Sequence, residues 1–305
     1  MSGPSTTRHL LSIDDLDGDT IRAILARSRD LAAGAPSRAR GAIAALLFFS
    51  PSTRTQYGFQ SSVLRAGGGV ISVDLENSRA GSNWGESLAD TARVLSGFAD
   101  LAVIRHSEAD GVYDFAEACT IPVINAGNGM GLRAEHPTQA LIDLFTIEKA
   151  FGRIDGLKIL IIGGTHLRAF RSQIRALVHF PQVELFVLCP DKFWMEFADA
   201  EHYRRAGIRF TRIGHLDEVK RNVDVIYHNG ITERRGEPVD SFYALDRAKL
   251  SEMRADAIVM HSLPRVEDLA HDVDGMPQAR YFEQAHNGVP VRAAIIEHLL
   301  AAQRE

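Results

Sequence analysis

Short apolar runs alternate with helix-like segments along nearly the whole chain, and this alternation constrains the fold more than any other feature of the sequence. In the first half the runs of strand length are Ala42–Phe49, Val70–Val73, Leu101–Arg105 and Ile121–Asn125. The intervening segments with helical periodicity are Asp17–Ala33, Thr53–Arg65, Glu86–Phe98 and Gly111–Cys119. Strands that alternate with helices form a parallel sheet with helices packed on its faces.

The alternation restarts after a long helical segment, His136–Phe151, which has Pro137 in its first turn and is predicted to link two domains. The later strands are predicted at Lys158–Ile162, Val183–Leu188, Ile208–Thr211, Val223–Tyr227 and Ala257–His261. Helices are predicted at Leu167–Val178, Trp194–Ala206 and Val291–Arg304. We therefore predict an α/β fold of two domains, each a parallel β-sheet flanked by helices. The predicted domains are residues 1–137, with the C-terminal helix 288–305 packing back onto them, and residues 138–287.

Composition excludes several classes of function. With 34 basic and 39 acidic residues and a net charge of −5, the chain does not resemble a nucleic-acid-binding protein. Its two cysteines, Cys119 and Cys189, have no CxxC or metal-ligand spacing, and the twelve histidines form no HExxH motif. The sequence shows no signal peptide and no apolar run of the roughly 18 residues that a membrane span needs. We expect a cytoplasmic protein without a metal, a nucleic-acid partner or a membrane partner.

Polar clusters follow the predicted strands, at the sheet edge where open α/β folds hold their ligands. These clusters are Ser52–Thr55, Arg105–His106, Asn125–His136, Gly163–Arg168 and His261–Arg265. Because parallel strands deliver their following loops to one edge, the clusters mark the candidate binding site.

The segment Ser52–Thr55 opens a predicted helix. Free backbone N–H groups, the positive end of the helix dipole, hydroxyl groups and the Arg54 guanidinium all suit an anion such as phosphate. Serine and threonine also cap helices, and the segment alone leaves both interpretations open.

A second motif places His136 and Gln139 three residues apart at a helix start, on one face, where both side chains can donate to a carbonyl oxygen. The alternative is that His136 is a capping or core residue. Arg105 ends an apolar strand, as a rim charge or as a buried anion contact. Leu263-Pro264 suggests a tight turn, a candidate for a cis peptide, that directs backbone carbonyls into a cleft.

The segment Ile161–Thr165 places glycines between an apolar strand and a helix, as dinucleotide-binding folds do. The three-glycine spacing of that motif is absent, and Arg168 suits a carboxylate better than a pyrophosphate. The sequence therefore disfavours a dinucleotide site.

Several motifs in order resemble the aspartate and ornithine carbamoyltransferase family, with most similarity to its aspartate branch, over nearly the whole chain. They are SPSTRT (Ser50–Thr55), GESLADTARVLSGFADLAVIRH (Gly85–His106), PVINAGNG (Pro122–Gly129), HPTQALIDLFTI (His136–Ile147), GRIDGLKI (Gly152–Ile159), HSLPR (His261–Arg265) and YFEQAHNGVPVR (Tyr281–Arg292). The resemblance implies the two-domain fold of that family and transfer of the carbamoyl group of carbamoyl phosphate to an amine or amino-acid acceptor. It implies no cofactor, and a homotrimer with active sites shared between neighbours.

The resemblance also implies roles for individual residues. The phosphate of carbamoyl phosphate is expected to lie on Ser52, Thr53, Arg54 and Thr55. Thr55, Arg105 and His136 are expected to polarise its carbonyl oxygen. Gln139 and the backbone near Leu263 and Pro264 are expected to hold its amino group, and Arg168 to bind the carboxylate of the acceptor.

One departure from the family pattern lies in the loop that normally presents a lysine to the neighbouring subunit's site. Here that loop has Trp84, in Ser82–Glu86, so the ammonium group is lost. Arg79 and Arg133 are candidates to replace its charge, and Trp84 is a candidate contact to the acceptor.

A second departure affects the residues that hold aspartate, an arginine and a glutamine two positions apart. Gly230 and Thr232 stand at those positions, with Arg234 and Arg235 following. The carbamoyl phosphate half of the pattern is thus retained while the acceptor half is altered. This predicts a carbamoyltransferase whose acceptor is not, or not only, L-aspartate; the alternative is a non-catalytic paralogue that binds carbamoyl phosphate and acts as an assembly partner.

Overall fold

A computed structural model describes residues 9–72, 85–195, 197–231 and 240–303. The chain divides into two compact units, Met1–Phe145 with His286–Glu305 and Thr146–Ala285. Each unit contains one parallel sheet, of four strands in the first and five in the second. The predicted architecture of two parallel α/β domains is therefore confirmed.

The first unit begins with α1 and alternates strands and helices up to α5, which carries the chain into the second unit. The elements are α1 (Gly18–Ala32), β1 (Ile43–Phe48), α2 (Thr53–Arg65), β2 (Gly69–Ser72), α3 (Leu88–Leu95), β3 (Leu101–His106), α4 (Gly111–Ala118), β4 (Val123–Asn128) and α5 (Pro137–Phe151).

The strand order β2-β1-β3-β4 reverses direction between β1 and β3, which creates a crevice beyond their carboxyl ends. Phe48 at the end of β1 lies opposite Arg105 of β3. The N–H of Phe49 donates to the Arg105 carbonyl at 2.9 Å. The segment leading to Ser52 and the end of β3 therefore lie side by side.

The second unit repeats this plan with one more strand. Its elements are β5 (Lys158–Ile162), α6 (Arg168–Leu177), β6 (Glu184–Leu188), α7 (Phe197–Arg205), β7 (Phe210–Arg212), β8 (Val225–His228), α8 (Arg247–Leu250), β9 (Ile258–His261) and α9 (Tyr281–Ala301). The order β7-β6-β5-β8-β9 places its reversal between β5 and β8. The loops that follow these two strands border the crevice of this unit.

Each sheet is buried by helices on its faces. In the first, Ala45, Leu47, Ala102 and Ile104 pack against residues of α3 and α4. In the second, Leu160, Ile226 and Val259 lie in one core cluster with residues of the helices and loops. Burial of both faces explains why these strands appear in the sequence as continuous apolar runs rather than alternating ones.

The last helix corrects one prediction. It begins at Tyr281 rather than at Val291 and continues through Pro290, so it carries the chain from the second unit back into the first. Proline lacks the N–H that continues a helix and was therefore expected to precede the helix rather than lie inside it. The Ser62 hydroxyl donates to the Val289 carbonyl at 2.8 Å, a tertiary contact next to the proline that no local pattern reveals. Among the described residues, no helix is both long and apolar enough to span a bilayer.

Candidate active site

The amino end of α2 is the candidate anion site that the sequence predicts in the first unit. Ser52 precedes this helix in an extended conformation, and its side chain accepts no capping hydrogen bond. The N–H groups of the first helical turn have no acceptor within the helix itself. The first backbone bond of the turn is donated by the N–H of Gln56 to the Ser52 carbonyl at 3.0 Å. Since the Ser52 hydroxyl does not cap α2, the structure favours the anion-binding interpretation of Ser52–Thr55 over simple capping.

A buried arginine for which the sequence predicted no role packs against the second turn of α2. Arg292 of α9 is 4% exposed, and its guanidinium carbon lies 5.2 Å from the ring centre of Phe59. The side chain passes between Gly58 and Gly288, where a Cβ on either glycine would come 2.2 Å from Nη1. Any larger residue at these two positions would collide with the guanidinium, so the glycines make room for a charge.

Electrostatics around Arg292 point to an anion. Burial, and to a smaller extent the positive charge of Arg54, lower the pKa of Arg292 to about 10. Within the described residues no carboxylate forms an ion pair with Arg292. Two guanidinium groups near one helix terminus, one of them deeply buried, provide an electrostatic field that suits a phosphate.

Arg105 reaches the same edge from the end of β3. Its Nη1 donates to the Ala126 carbonyl of β4 at 3.0 Å, and the side chain is half-buried. Thr55, in the first turn of α2, is buried at 5% exposure. The adjacent ends of β1 and β3 thus bring Ser52–Thr55 and Arg105 to one crevice, as predicted from the order of the polar clusters.

His136 immediately precedes α5 and is 7% exposed. Its Nδ1 lies 3.3 Å from the Thr138 hydroxyl. The Gln139 side-chain amide donates to the Asp143 carboxylate one turn further along the helix at 2.8 Å. Both predicted residues therefore lie in the first turn after the loop that follows β4.

That loop is held by a buried polar network which the sequence analysis missed. Glu135, 1% exposed, accepts hydrogen bonds from the Ser12 hydroxyl at 2.6 Å and the Ile13 N–H at 3.0 Å. Its own N–H donates to the Asn128 side chain at 2.8 Å, which also accepts from Asn125 at 2.9 Å. The only available signal was the presence of Asn125, Asn128 and Glu135 in a mostly apolar segment before His136, and Ser12 is distant in sequence.

In the second unit, Arg168 is the first residue of α6, directly after the loop that follows β5. It is half-buried, and desolvation lowers its pKa. The described part of the chain supplies no ion-pair partner for Arg168. A partly desolvated guanidinium without a carboxylate suits the acceptor role predicted for it.

The loops after β8 and β9 border the same crevice of this unit. Gly230 has φ +85° and its carbonyl accepts from the Gly164 N–H at 2.8 Å. Leu263 has φ +48°, and its peptide bond to Pro264 is cis, as the tight turn suggested. Gly230 contributes only backbone at the position where the family resemblance places an arginine.

The structure describes one of the residues that could replace the family lysine and arginine missing at Trp84 and Gly230. Arg133 pairs with Asp110 at 2.5 Å and lies 3.8 Å over the ring of Tyr113, so its guanidinium is engaged at the surface. Five other positions lie outside the described residues: Arg79, Trp84, Thr232, Arg234 and Arg235.

The fold defines the class: two parallel α/β domains, one with an uncapped helix start beside Arg54 and the other with a half-buried Arg168 at the start of a helix. Residues 8–149 match the family model described as aspartate/ornithine carbamoyltransferase, carbamoyl-P binding domain. Residues 155–299 match its Asp/Orn binding domain. The chain therefore belongs to the aspartate/ornithine carbamoyltransferase family, and it is a carbamoyltransferase.

Individual relatives agree with this assignment. The aspartate carbamoyltransferase catalytic subunit of Methanobrevibacter smithii is 37% identical, covering 96% of this chain and 95% of the relative. The catalytic subunit of aspartate transcarbamoylase from M. jannaschii superposes with a TM-score of 0.87 at 36% identity, covering 97% and 99% of the two chains. The Trypanosoma cruzi enzyme, in complex with carbamoyl phosphate and aspartate, gives a TM-score of 0.85 at 32% identity, covering 97% and 98%. These matches confirm the predicted family and its aspartate branch.

Proposed function

We propose that this chain transfers the carbamoyl group of carbamoyl phosphate to an amine or amino-acid acceptor that is not, or not only, L-aspartate, and releases phosphate. The observation that carries the proposal is the uncapped amino end of α2, where Arg54 and the buried Arg292 supply positive charge. The presence of this feature in the domain that matches the carbamoyl-P binding model supports a phosphorylated donor.

In the proposed reaction the amine lone pair attacks the carbonyl carbon, a C–N bond forms, and the carbonyl oxygen becomes an oxyanion. Thr55, Arg105 and His136 would donate to that oxygen, since preorganised donors stabilise the developing charge. The C–O bond to phosphate then breaks, and the phosphate leaves with the electron pair. Ser52, Thr53 and Arg54 would stabilise its charge, and the proton of the amine passes to the departing phosphate or to water.

The remaining predicted residues would orient the reactants. Gln139 and the backbone of Leu263 and Pro264 are assigned to the amino group of carbamoyl phosphate, and Arg168 to the acceptor carboxylate. Correct placement of two reactants contributes much of the rate in such bimolecular transfers.

The altered acceptor rests on Gly230. A residue with no side chain cannot bind the second carboxylate of aspartate, while the donor side of the pattern is intact. Aspartate nevertheless remains the reference acceptor, because a related T. cruzi structure contains carbamoyl phosphate and aspartate together.

The direct test is turnover with a panel of amines. Purified protein, carbamoyl phosphate and single amino acids, including L-aspartate, are expected to release phosphate and yield a product heavier by one carbamoyl group for at least one acceptor. Binding of carbamoyl phosphate without turnover of any amine would instead establish the non-catalytic alternative.

A variant tests the donor site separately. We expect Arg54→Ala to weaken carbamoyl phosphate binding in calorimetry by about 10- to 100-fold or more, because a charged hydrogen bond contributes about 1.5–3 kcal/mol and the variant also removes the exposed charge at the helix end. Arg65→Ala, in the last turn of the same helix, is the matched control and should bind normally. Unchanged affinity in Arg54→Ala would refute the anion site.

A further inference from the structure

Two buried histidines lie side by side at the ends of β8 and β9. His228 and His261 are register partners on these neighbouring strands, and their rings stack with centroids 5.6 Å apart at an angle of 10°. His228 is 0% exposed and His261 is 2% exposed. Asp268, 1% exposed, completes the cluster. None of these three residues has a role in the reaction proposed above.

The hydrogen bonds of His261 fix its protonation. The N–H of Leu263 donates to His261 Nδ1 at 2.7 Å, so this nitrogen carries no proton. His261 Nε2 lies 3.0 Å from Asp268 Oδ2 and donates to it. The ring is therefore neutral, with its proton on Nε2 and directed at the carboxylate.

His228 has the same tautomer with different partners. The N–H of Gly230 donates to His228 Nδ1 at 3.1 Å. His228 Nε2 lies 3.2 Å from the carbonyl oxygen of Tyr243 and donates to it. Burial is the main cause that lowers the pKa of His228 to about 4; His261 acts in the same direction and Asp268 opposes it, and the result agrees with a neutral ring.

A metal ion does not fit this arrangement. The three side chains do offer ligand atoms within 4.8 Å of one another. However, both Nδ1 lone pairs accept peptide N–H groups and both Nε2 atoms donate, so ligation would break the bonds that hold the adjacent turns. All four ring nitrogens already form hydrogen bonds with groups of this chain.

The two rings accept hydrogen bonds from residues with unusual backbone conformations in the loops beside the crevice. Gly230 and Leu263, the residues whose N–H groups they accept, both have positive φ, +85° and +48°. Such a conformation is costly for leucine and persists only where neighbouring contacts maintain it. Gly230 in turn accepts from Gly164, in the loop that leads to Arg168. The bond made by His228 is therefore linked, through the backbone bond between Gly230 and Gly164, to the loop that leads to Arg168.

We propose that His228, packed on the His261–Asp268 pair, is a positioning residue that fixes the Gly230 turn and thereby the acceptor-binding edge of the second unit. The proposal rests on the proposed function for its kinetic consequence, but its structural part stands independently. According to this proposal, the neutral imidazole of His228 increases affinity for the acceptor without contacting it.

Two substitutions of His228 separate the two hydrogen bonds. In His228→Asn the amide oxygen takes the place of Nδ1 and retains the acceptor for Gly230, while in His228→Gln the amide nitrogen takes the place of Nε2 and retains only the donor to Tyr243. We expect the Gln variant to raise the KM for the acceptor roughly three- to tenfold, the range for one neutral hydrogen bond, with the KM for carbamoyl phosphate within about twofold of wild type. The Asn variant should recover most of the acceptor affinity.

His215→Gln provides a matched control. His215 Nδ1 also accepts the N–H of the residue two positions later, Asp217, at 3.1 Å, but in an exposed turn. This control should leave the acceptor KM unchanged. Equal loss of acceptor affinity in His228→Asn and His228→Gln would overturn the proposal, since a merely structural role moves both alike.

Hydrogen exchange measured by mass spectrometry tests the same idea without activity. The amides around Gly230 and Leu263 should lose protection in His228→Gln and retain it in His228→Asn. If wild-type protein carbamoylates no amine, the proposed function fails while this measurement still decides on the positioning role. Stoichiometric Zn²⁺ binding that disappears in both variants would show a metal site instead and refute the assignment.

Discussion

Arg292 occupies a position that folding alone does not explain. It is a guanidinium at 4% exposure, pressed between two glycines and the ring of Phe59, next to the like charge of Arg54. Replacing a buried charge with an apolar side chain of similar volume is commonly neutral or stabilising. A buried guanidinium next to the proposed anion site is therefore best explained by the proposed anion.

This gives a prediction with two opposed readouts. We expect Arg292→Met to bind carbamoyl phosphate roughly five- to thirtyfold more weakly, since a poorly solvated charge contributes about 1–2 kcal/mol to a nearby phosphate. Its midpoint of urea unfolding should remain the same or rise. Calorimetry and urea titration measure the two effects, and a lower midpoint with unchanged affinity would identify Arg292 as a structural residue only.

Arg168, like Arg292, is a guanidinium for which the described residues supply no carboxylate partner. We expect Arg168→Met to raise the KM for the acceptor about 10- to 100-fold, because a hydrogen bond to a charged group contributes about 1.5–3 kcal/mol. Carbamoyl phosphate affinity should be nearly unaffected. Steady-state kinetics with each substrate varied in turn would check this, and a selective effect on carbamoyl phosphate would place Arg168 on the donor instead.

At the scale of elements, the pairing of β8 and β9 makes the second unit sensitive to acid. His228 faces His261, Asp268, the Tyr243 carbonyl and the charge of Lys249, and its pKa is lowered from 6.5 to about 4. In the unfolded chain this histidine takes up its proton near pH 6.5, whereas the folded protein resists it until about pH 4. Its contribution is therefore complete above pH 6.5 and is lost as the pH falls from 6.5 to 4.

We expect wild-type protein to lose roughly 3 kcal/mol more stability over this interval than His228→Asn, which has no group to protonate. Thermal unfolding at a series of pH values measures the difference. His298, whose pKa burial also lowers, acts in the same direction in both proteins and cancels in the comparison. Asp268 titrates below this interval: burial raises its pKa, but the hydrogen bonds from His261 and Val266 and the charges of the two histidines together lower it to about 2. Parallel curves for the two proteins would show that His228 does not titrate as proposed.

At the scale of the whole molecule, the family resemblance predicts a homotrimer whose neighbours share active sites. Sedimentation equilibrium should therefore give a mass of about three times the 33.5 kDa chain. A monomeric mass with full activity would exclude shared sites.

Trp84→Lys should restore use of aspartate if the loop around residue 84 alone changed the acceptor.

The extent of prediction from sequence differs between the fold and the site. The strands and most helices were predicted within a few residues, for example Thr53–Arg65 and Lys158–Ile162, because each is encoded by apolar spacing within its own segment. The same pattern predicted which edge of the first sheet carries Ser52–Thr55 and Arg105 and which edge of the second carries Arg168, since parallel strands deliver their following loops to one edge of their own sheet. The reaction and the roles of individual residues were predicted from the family motifs.

By itself, then, the sequence determined the two parallel α/β units and the polar loops at their carboxyl edges, since these depend on residues that are neighbours along the chain. Only the tertiary structure decided that α9 continues through Pro290, that Arg292 packs against the second turn of α2, and that His228 stacks on His261. Each of these depends on contacts between residues far apart in sequence, where burial and hydrogen bonding outweigh local preference.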